Sequence, residues 1–113
     1  MHELGVASEI LGIVLSESAR HKAKKVTLVK LRVGVLRGIV PENLLFLFGH
    51  IAKETPAENA ALEIEEETVR VECASCGTNE SPSFVMECPV CRRSGIRVSG
   101  GDSLLVVSIE MDA

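Results

Sequence analysis

Apolar side chains in the first twenty residues repeat at the spacing of one helical face. They recur every three or four positions, and serine and glutamate occupy several of the positions between them. This spacing matches the 3.6-residue turn of an α-helix with one buried stripe. The pattern predicts an amphipathic helix over residues 4–20, with a stripe formed by Leu4, Ala7, Leu11, Val14 and Leu15.

Three later segments have the composition of β-strands. Residues 25–35 alternate, with Lys30 and Arg32 on the polar face. Leu62 and Ile64 alternate with glutamates at 63, 65 and 67, which predicts a second strand, and the glutamate run 63–67 is interpreted as its solvated face. Residues 103–111 are aliphatic and β-branched, which favours a third strand. If the first two strands pair, the glutamates lie across from Lys30 and Arg32. The apolar face of the first strand is predicted to carry Thr27, Val29, Leu31, Val33 and Val35.

A second helix is predicted to begin at Pro41. Proline suits the first turn of a helix because its missing N–H has no helical partner there. The helix should stop near Thr55, before Pro56. Its apolar stripe comprises Leu44, Leu47, Phe48, Ile51 and Ala52.

Between Val69 and Gly101 the hydrophobic periodicity fails, and Cys, Gly, Pro and Ser become frequent. A segment of this composition needs something other than an apolar core to order it. Two Cys-x-x-Cys pairs lie within it, separated by eleven residues. A metal ion held by both pairs would supply that order. The four cysteines are Cys73, Cys76, Cys88 and Cys91.

Such a pair lets both thiolates reach one zinc ion at about 2.3 Å, and four thiolates fill a tetrahedral site completely. The sequence therefore predicts one structural Zn(II) on the four cysteines. Two disulfides, a redox dithiol or an iron centre on the same ligands are the alternatives. Gly77 follows the first pair and can adopt a left-handed backbone. Arg92 follows the second pair and must either adopt that conformation at a cost or avoid it.

Composition argues against two classes of partner, nucleic acids and the interior of a membrane. The 113 residues carry a net charge of −4, which argues against a nucleic-acid backbone. There is no Trp or Tyr, and the three phenylalanines, Phe46, Phe48 and Phe84, are interpreted as packing residues rather than base-stacking platforms. No apolar run is long enough to span a bilayer, and no signal peptide is evident. A cytoplasmic protein is expected, and that reducing compartment favours metal ligation over disulfides.

The amino terminus reads Met1-His2-Glu3. A free α-amine, the following amide nitrogens and the His2 imidazole can chelate one ion in a plane, an arrangement suited to Ni(II) or Cu(II). Terminal residues of most proteins carry little function, so the residues alone leave an inert terminus as the alternative.

Several motifs in this order resemble the HypA/HybF family of hydrogenase nickel-incorporation proteins. They are Met1-His2-Glu3-Leu4, the segments 29–36, 44–48 and 61–65, and the two Cys-x-x-Cys pairs. The resemblance covers nearly the whole chain. It implies an α+β fold of two helices packed on a three-stranded sheet, with a zinc-ribbon-like four-cysteine unit inserted before the last strand. Residues 1–68 plus 100–113 would form the nickel-binding domain and residues 69–99 the zinc-binding domain.

The resemblance also implies a function. The protein would be a non-catalytic nickel metallochaperone for maturation of [NiFe]-hydrogenase, working with a HypB-type GTPase and the hydrogenase large subunit. Nickel would bind at Met1, His2 and Glu3, and zinc at the four cysteines. Two positions depart from the family pattern. Val35 replaces an acidic residue often found after the first strand, and Arg92 replaces a glycine after the fourth cysteine.

Other functions stay open. A zinc-ribbon adaptor for protein–protein interaction would need no nickel site. A small enzyme is disfavoured because the sequence offers no paired nucleophile and base and no phosphate-binding loop. His21 and His50 are interpreted as surface and boundary residues rather than ligands. The sequence does not distinguish a monomer from a weak homodimer, nor does it show whether urease is also served.

Overall fold

The computed structural model describes residues 3–113. Within these residues two helices and six strands follow one another, and a short 3₁₀ turn, Val35–Arg37, lies between the first strand and the second helix. Among the described residues, neither helix is long and apolar enough to cross a bilayer. The elements are α1 (Glu3–Arg20), β1 (Lys25–Gly34), α2 (Pro41–Ile51), β2 (Ala61–Glu67), β3 (Val69–Cys73), β4 (Gly77–Ser81), β5 (Arg97–Gly100) and β6 (Leu104–Asp112).

The first sheet has the strand order β2-β1-β6. Strand β1 pairs with β2 in parallel and with β6 in antiparallel fashion. The parallel register sets Lys30 opposite Glu63 and Arg32 opposite Glu65. The Arg32 Nε lies 3.0 Å from the Glu65 Oε1, so the predicted pairing of the basic and acidic strand faces is confirmed.

The core of the α/β unit, which comprises α1, α2, β1, β2 and β6, includes residues from both predicted helical stripes. The α2 stripe supplies Leu44 and Phe48 within the helix and Ala52 just after its end, and the α1 stripe supplies Ala7 and Val14. Leu4 of the α1 stripe is exposed. The α+β prediction, with two helices on a three-stranded sheet, is confirmed. The buried residues are Val6, Ala7, Ile10, Val14, Val26, Val29, Leu31, Val33, Leu44, Phe48, Ala52 and Ala57.

Strand β1 departs from simple alternation at Thr27. The register with β6 shifts between Val26 and Leu28, so Thr27 is the extra residue of a bulge. Its hydroxyl donates to the Glu110 carbonyl at 3.1 Å, and Val26 is the residue that becomes buried. The prediction for Thr27 was therefore wrong. Val35 also leaves the strand, because the 3₁₀ turn begins there.

Helix α2 ends at Ile51, four residues before the predicted boundary. The backbone of Glu54 has a φ of +64°, a left-handed conformation that no helix can continue through. The Thr55 hydroxyl then donates to the Ala52 carbonyl at 2.6 Å and closes the turn. A side chain acting on the backbone therefore ends the helix before the proline does.

Residues 69–100 form a second sheet that the sequence analysis did not predict, with the order β4-β3-β5 and antiparallel pairing throughout. Val69, Val71 and Cys73 alternate as buried residues along β3. Five residues are too few for this alternation to stand out among the surrounding polar residues. We refer to residues 69–100 as the cysteine unit, and the division of the chain into two domains stays a prediction.

Candidate metal centre

The first cysteine pair lies in the turn that joins β3 to β4. Cys73 ends β3, and Gly77 begins β4 with a φ of +81°. The backbone N–H groups of Cys76 and Ser75 donate to the Cys73 sulfur, and these bonds lower the pKa of Cys73 below its ordinary value. The turn therefore favours the thiolate form, which is the form that binds metals.

The second pair repeats this arrangement. The N–H groups of Cys91 and Val90 donate to the Cys88 sulfur, with a Val90 N to Cys88 Sγ distance of 3.4 Å. These bonds lower the pKa of Cys88 to about 6. Arg92 takes a φ of +62°, so it adopts the left-handed conformation that a glycine provides in the first pair. Its N–H donates to the Cys88 carbonyl at 2.8 Å, which explains why the backbone turns there.

The fold brings all four cysteines together. Their sulfur atoms lie within 4.8 Å of one another, and the Cys73 and Cys91 sulfurs are 3.7 Å apart. A tetrahedral ion with metal–sulfur bonds of about 2.3 Å requires sulfur–sulfur separations of roughly 3.8 Å. A disulfide bond would be about 2.05 Å long. The spacing therefore fits a metal ion better than a disulfide.

Charge gives a second reason to expect a cation here. The neighbouring Cys91 and Cys88 sulfurs and the loss of hydration raise the pKa of Cys76 to about 12, so this thiol stays protonated when no cation is present. Four thiolates packed this closely repel one another, and a divalent ion relieves that repulsion. Cys73 and Cys88 are buried, Cys76 is half-buried and Cys91 is exposed. One edge of the site therefore faces solvent, although four sulfur ligands would leave no coordination position open.

The residues predicted to bind nickel are only partly described. Met1 and His2 lie outside the described residues. The Glu3 carboxylate accepts a hydrogen bond from the Val40 N–H at 3.2 Å, just ahead of the first turn of α2. The sequence analysis did not predict this contact, which joins residues far apart in the chain. It connects the start of α1 to the start of α2.

The two remaining histidines lie elsewhere. His21 follows the last turn of α1, where its Nε2 is 3.5 Å from Glu17, and His50 is exposed near the end of α2. Neither belongs to the cysteine cluster, which is the one group of potential metal ligands found within residues 3–113.

The assignment of the phenylalanines to packing is corrected by the structure. Phe48 is buried, but the side chain of Phe46 is 74% exposed and that of Phe84 is 58% exposed. Phe46 lies on the outer face of α2, away from the stripe that packs against the core, and Phe84 lies in the long connection between β4 and β5. Neither position offers an apolar surface to cover the ring.

Comparison with known proteins identifies the family. The family model described as "Hydrogenase/urease nickel incorporation, metallochaperone, hypA" matches residues 1–111. The chain belongs to the HypA family. HypA proteins are metallochaperones that act as maturation factors without catalytic activity of their own.

Individual HypA relatives match along nearly their full length. The hydrogenase maturation factor HypA of Chlorobium limicola is 38% identical over 113 residues, which cover 99% of this chain and 97% of the relative. The HypA of Desulfitobacterium hafniense strain DCB-2 is 35% identical, with 99% of each chain covered.

Solved HypA structures share the fold. The solution structure of the nickel metallochaperone HypA from Helicobacter pylori superimposes with a TM-score of 0.66 at 22% identity, covering 100% of this chain and 99% of that one. A second HypA solution structure gives a TM-score of 0.68 at 22% identity, with coverage of 98% and 96%. At this level of identity the likeness establishes the fold.

Proposed function

We propose that this protein binds one Ni(II) ion at its amino terminus and delivers it for insertion into a [NiFe]-hydrogenase, while a structural Zn(II) ion occupies the four-cysteine site. The observation that carries the proposal is the family match over residues 1–111, which includes both Met1-His2-Glu3 and the two cysteine pairs. The proposed partners are a HypB-type GTPase and the hydrogenase large subunit. The proposed location is the cytoplasm.

The chemistry of the two donor sets supports separate metals. The cysteine site offers four sulfur ligands at spacings that suit a tetrahedral ion. The amino terminus offers an amine, amide nitrogens and an imidazole, which suit the planar geometry of Ni(II). Zinc and nickel lie close together in the general order of stability, so donor type and geometry must separate them. Zinc would then stay in place while nickel is taken up and released.

Glu3 has a supporting role in this proposal. Its carboxylate accepts the Val40 N–H, which fixes the start of α1 beside the start of α2. The contact thereby fixes the residue that follows His2 in the sequence. Glu3→Gln retains a carbonyl oxygen that can accept this hydrogen bond. We expect that variant to bind nickel better than Glu3→Ala, which removes the acceptor.

Nickel titration by calorimetry of the zinc-loaded chain tests the proposal. We expect one-to-one nickel binding by the wild type and loss of that binding in His2→Gln and in a chain with extra residues ahead of Met1. Glutamine removes the imidazole and retains a bulky second residue, which disfavours removal of the initiator methionine. The extension converts the α-amine into an amide and removes a donor.

The matched control is His21→Gln, which removes an exposed imidazole far from the terminus along the chain. It should bind nickel like the wild type. Unchanged one-to-one binding in both terminal variants would refute the N-terminal site. Strong sulfur-to-nickel charge-transfer absorption in zinc-loaded protein would instead place nickel on the cysteines.

An adaptor role is the second candidate, and one feature of the cysteine unit favours it. Phe84, Met86 and Val90 are 58%, 81% and 66% exposed, within a span of seven residues around Cys88. Exposed apolar side chains at this density are typical of protein-binding surfaces. In this alternative the cysteine unit binds a partner and the terminus has no metal role. Absence of stoichiometric nickel binding by the wild type would favour it.

A further inference from the structure

The chain passes between its two sheets at two places that lie side by side. Thr68 separates β2 from β3, and residues 101–103, which we call the junction loop, separate β5 from β6. Among residues 3–113 the two sheets share no extensive packed face, and the molecule is elongated, with extents of 53 × 24 × 16 Å. The contacts at these two crossings therefore govern how the cysteine unit is held.

Glu67 joins the two crossings through its side chain. Its Oε1 accepts the Gly101 N–H at 2.7 Å and the Ser103 N–H at 3.2 Å. Its Oε2 accepts the Ser103 hydroxyl at 2.8 Å. One carboxylate at the end of β2 thus satisfies three donors of the junction loop.

Glu67 differs from the other glutamates of its strand. Glu63, Glu65 and Glu66 are exposed, whereas Glu67 is half-buried. The Ser103 hydroxyl is the main cause that lowers the pKa of Glu67, and the Ser103 and Gly101 N–H groups add to it. The assignment of the whole acidic run to a solvated face was therefore wrong at this one position.

The opposite side of the junction loop is held by the end of β1 and the 3₁₀ turn. The Gly34 N–H donates to the Ser103 carbonyl and the Leu36 N–H to the Gly101 carbonyl, each at 2.7 Å. The Arg37 Nε donates to the Asp102 carbonyl at 2.7 Å. All three carbonyls of the loop are thus bound from the α/β unit.

Apolar side chains also pack against the junction loop at Gly101, whose φ is +81°. A Cβ placed there would lie 2.8 Å from a methyl carbon of Val69 and 3.2 Å from the Leu36 Cγ. Val69 belongs to the cysteine unit and Leu36 to the 3₁₀ turn. Gly101 is therefore enclosed by side chains from both parts of the molecule.

We propose that Glu67 is a latch that holds the cysteine unit in one orientation against the α/β unit by binding the junction loop, and that its release lets the two units reorient. The geometry gives Glu67 this role because its carboxylate accepts hydrogen bonds from the loop's N–H and hydroxyl groups, while the end of β1 and the 3₁₀ turn donate to the loop's carbonyls. Without the carboxylate, the loop keeps only the hydrogen bonds that its carbonyls accept from Gly34, Leu36 and Arg37.

The junction loop is also connected, through the 3₁₀ turn, to a contact with the start of α1. The 3₁₀ turn that holds the junction loop leads within three residues to Val40, whose N–H donates to the Glu3 carboxylate. Hydrogen bonds at both ends of this short segment therefore connect the junction loop to the start of α1. This inference stands on contacts within residues 3–103 and does not depend on which metal the terminus binds.

Residual dipolar couplings of the full chain with zinc(II) on its cysteines test the latch. We expect wild-type couplings from both units to fit one alignment tensor. In Glu67→Ala the couplings of the cysteine unit should require a separate, smaller tensor, and amide exchange at Gly101 and Ser103 should accelerate at least tenfold. Glu67→Gln, which keeps a carbonyl acceptor, should show a smaller change.

Glu66→Ala is the matched control, because it removes the same charge from an exposed neighbour in the same strand. It should leave both measurements at wild-type values. Should Glu67→Ala fail to fold, Ser103→Ala removes only the hydroxyl bond and should still accelerate amide exchange at Gly101. A single shared tensor with protected Gly101 and Ser103 amides in a folded Glu67→Ala protein would overturn the proposal. Nickel titration of the same variants reports separately on the N-terminal site.

Discussion

The α/β unit and the cysteine unit differ in how many apolar side chains they bury. The α/β unit buries twelve hydrophobic residues in one cluster drawn from both helices and the sheet. In the cysteine unit, Val69 and Val71 are the buried aliphatic side chains, and Cys73 and Cys88 are the other buried apolar residues. Two valines bury too little apolar area to offset the conformational entropy of some thirty residues. We therefore expect metal ligation by the four sulfurs to take the place of an apolar core in the cysteine unit.

The largest effect should come from removing one sulfur. Cys88→Ser breaks a four-thiolate site, and binding at such sites contributes about 10–16 kcal/mol of folding free energy in small zinc domains. We expect loss of zinc and rapid amide exchange throughout residues 69–100, with the α/β unit still protected. Metal analysis and hydrogen exchange measure both effects.

Ser94→Ala provides the control for that variant, since it changes an exposed residue between the second cysteine pair and β5. It should retain zinc and native exchange. Full zinc content in Cys88→Ser would show that three sulfurs suffice and would weaken the contrast between the two units.

The converse experiment perturbs the α/β core. Phe48 is 2% exposed on α2, and truncating such a ring costs about 3–5 kcal/mol. Urea denaturation of Phe48→Ala should show this loss in the α/β transition, while zinc content stays at one per chain. Phe46→Ala, on the exposed face of the same helix, should change stability by less than about 0.5 kcal/mol. Zinc loss in Phe48→Ala would mean that the two units fold as one.

The sequence was most informative where a pattern is long. The stripes of α1 and α2 and the alternation of β1 extend over nine or more residues, and each predicted the presence of its element, although the end of α2 and the face of Thr27 were wrong. The cysteine spacing similarly indicated four sulfurs that the fold does bring together. Strands β3 to β5 have four or five residues each, so no period could distinguish them from loops.

Contacts that depend on tertiary geometry were not predictable. Glu67 continues an acidic run in the sequence, and only the position of the junction loop makes it a half-buried acceptor. The bond from Val40 to Glu3 likewise requires that α1 and α2 start side by side. The bulge at Thr27 shifts one strand register, which residue type alone does not reveal.

A smaller loss of stability is expected from a substitution where the α/β unit meets the junction loop. A Cβ on Gly34 would overlap the Gly101 carbonyl oxygen, so Gly34→Ala must displace the junction loop. Overpacking of this kind costs about 1–3 kcal/mol. Urea denaturation should show the loss, and amide exchange at Ser103 should accelerate.

Gly12→Ala is the matched comparison, because a Cβ there meets no atom within 4 Å and Gly12 lies inside α1. Alanine favours the helix interior by about 1 kcal/mol, so this variant should gain stability. If the two alanine variants shift stability in the same direction, the close approach of Gly34 to the loop is not what determines the cost.

The smallest effect concerns the difference between the two cysteine pairs. Gly77 and Arg92 occupy equivalent positions with φ of +81° and +62°, and a left-handed backbone costs an ordinary L-residue about 1–2 kcal/mol. Arg92→Gly removes that cost, although the greater freedom of glycine in the unfolded chain offsets part of the gain. We expect a net gain of about 1 kcal/mol, which is roughly a fivefold increase in zinc affinity measured by competition with a chelator.

Arg93→Gly removes the same charge at a neighbouring residue without a positive φ, and it should lower the zinc affinity because it adds only flexibility. Opposite changes in the two variants would show that backbone strain, rather than the loss of a basic side chain, makes the second pair the weaker half of the site. Equal changes would trace the effect to charge.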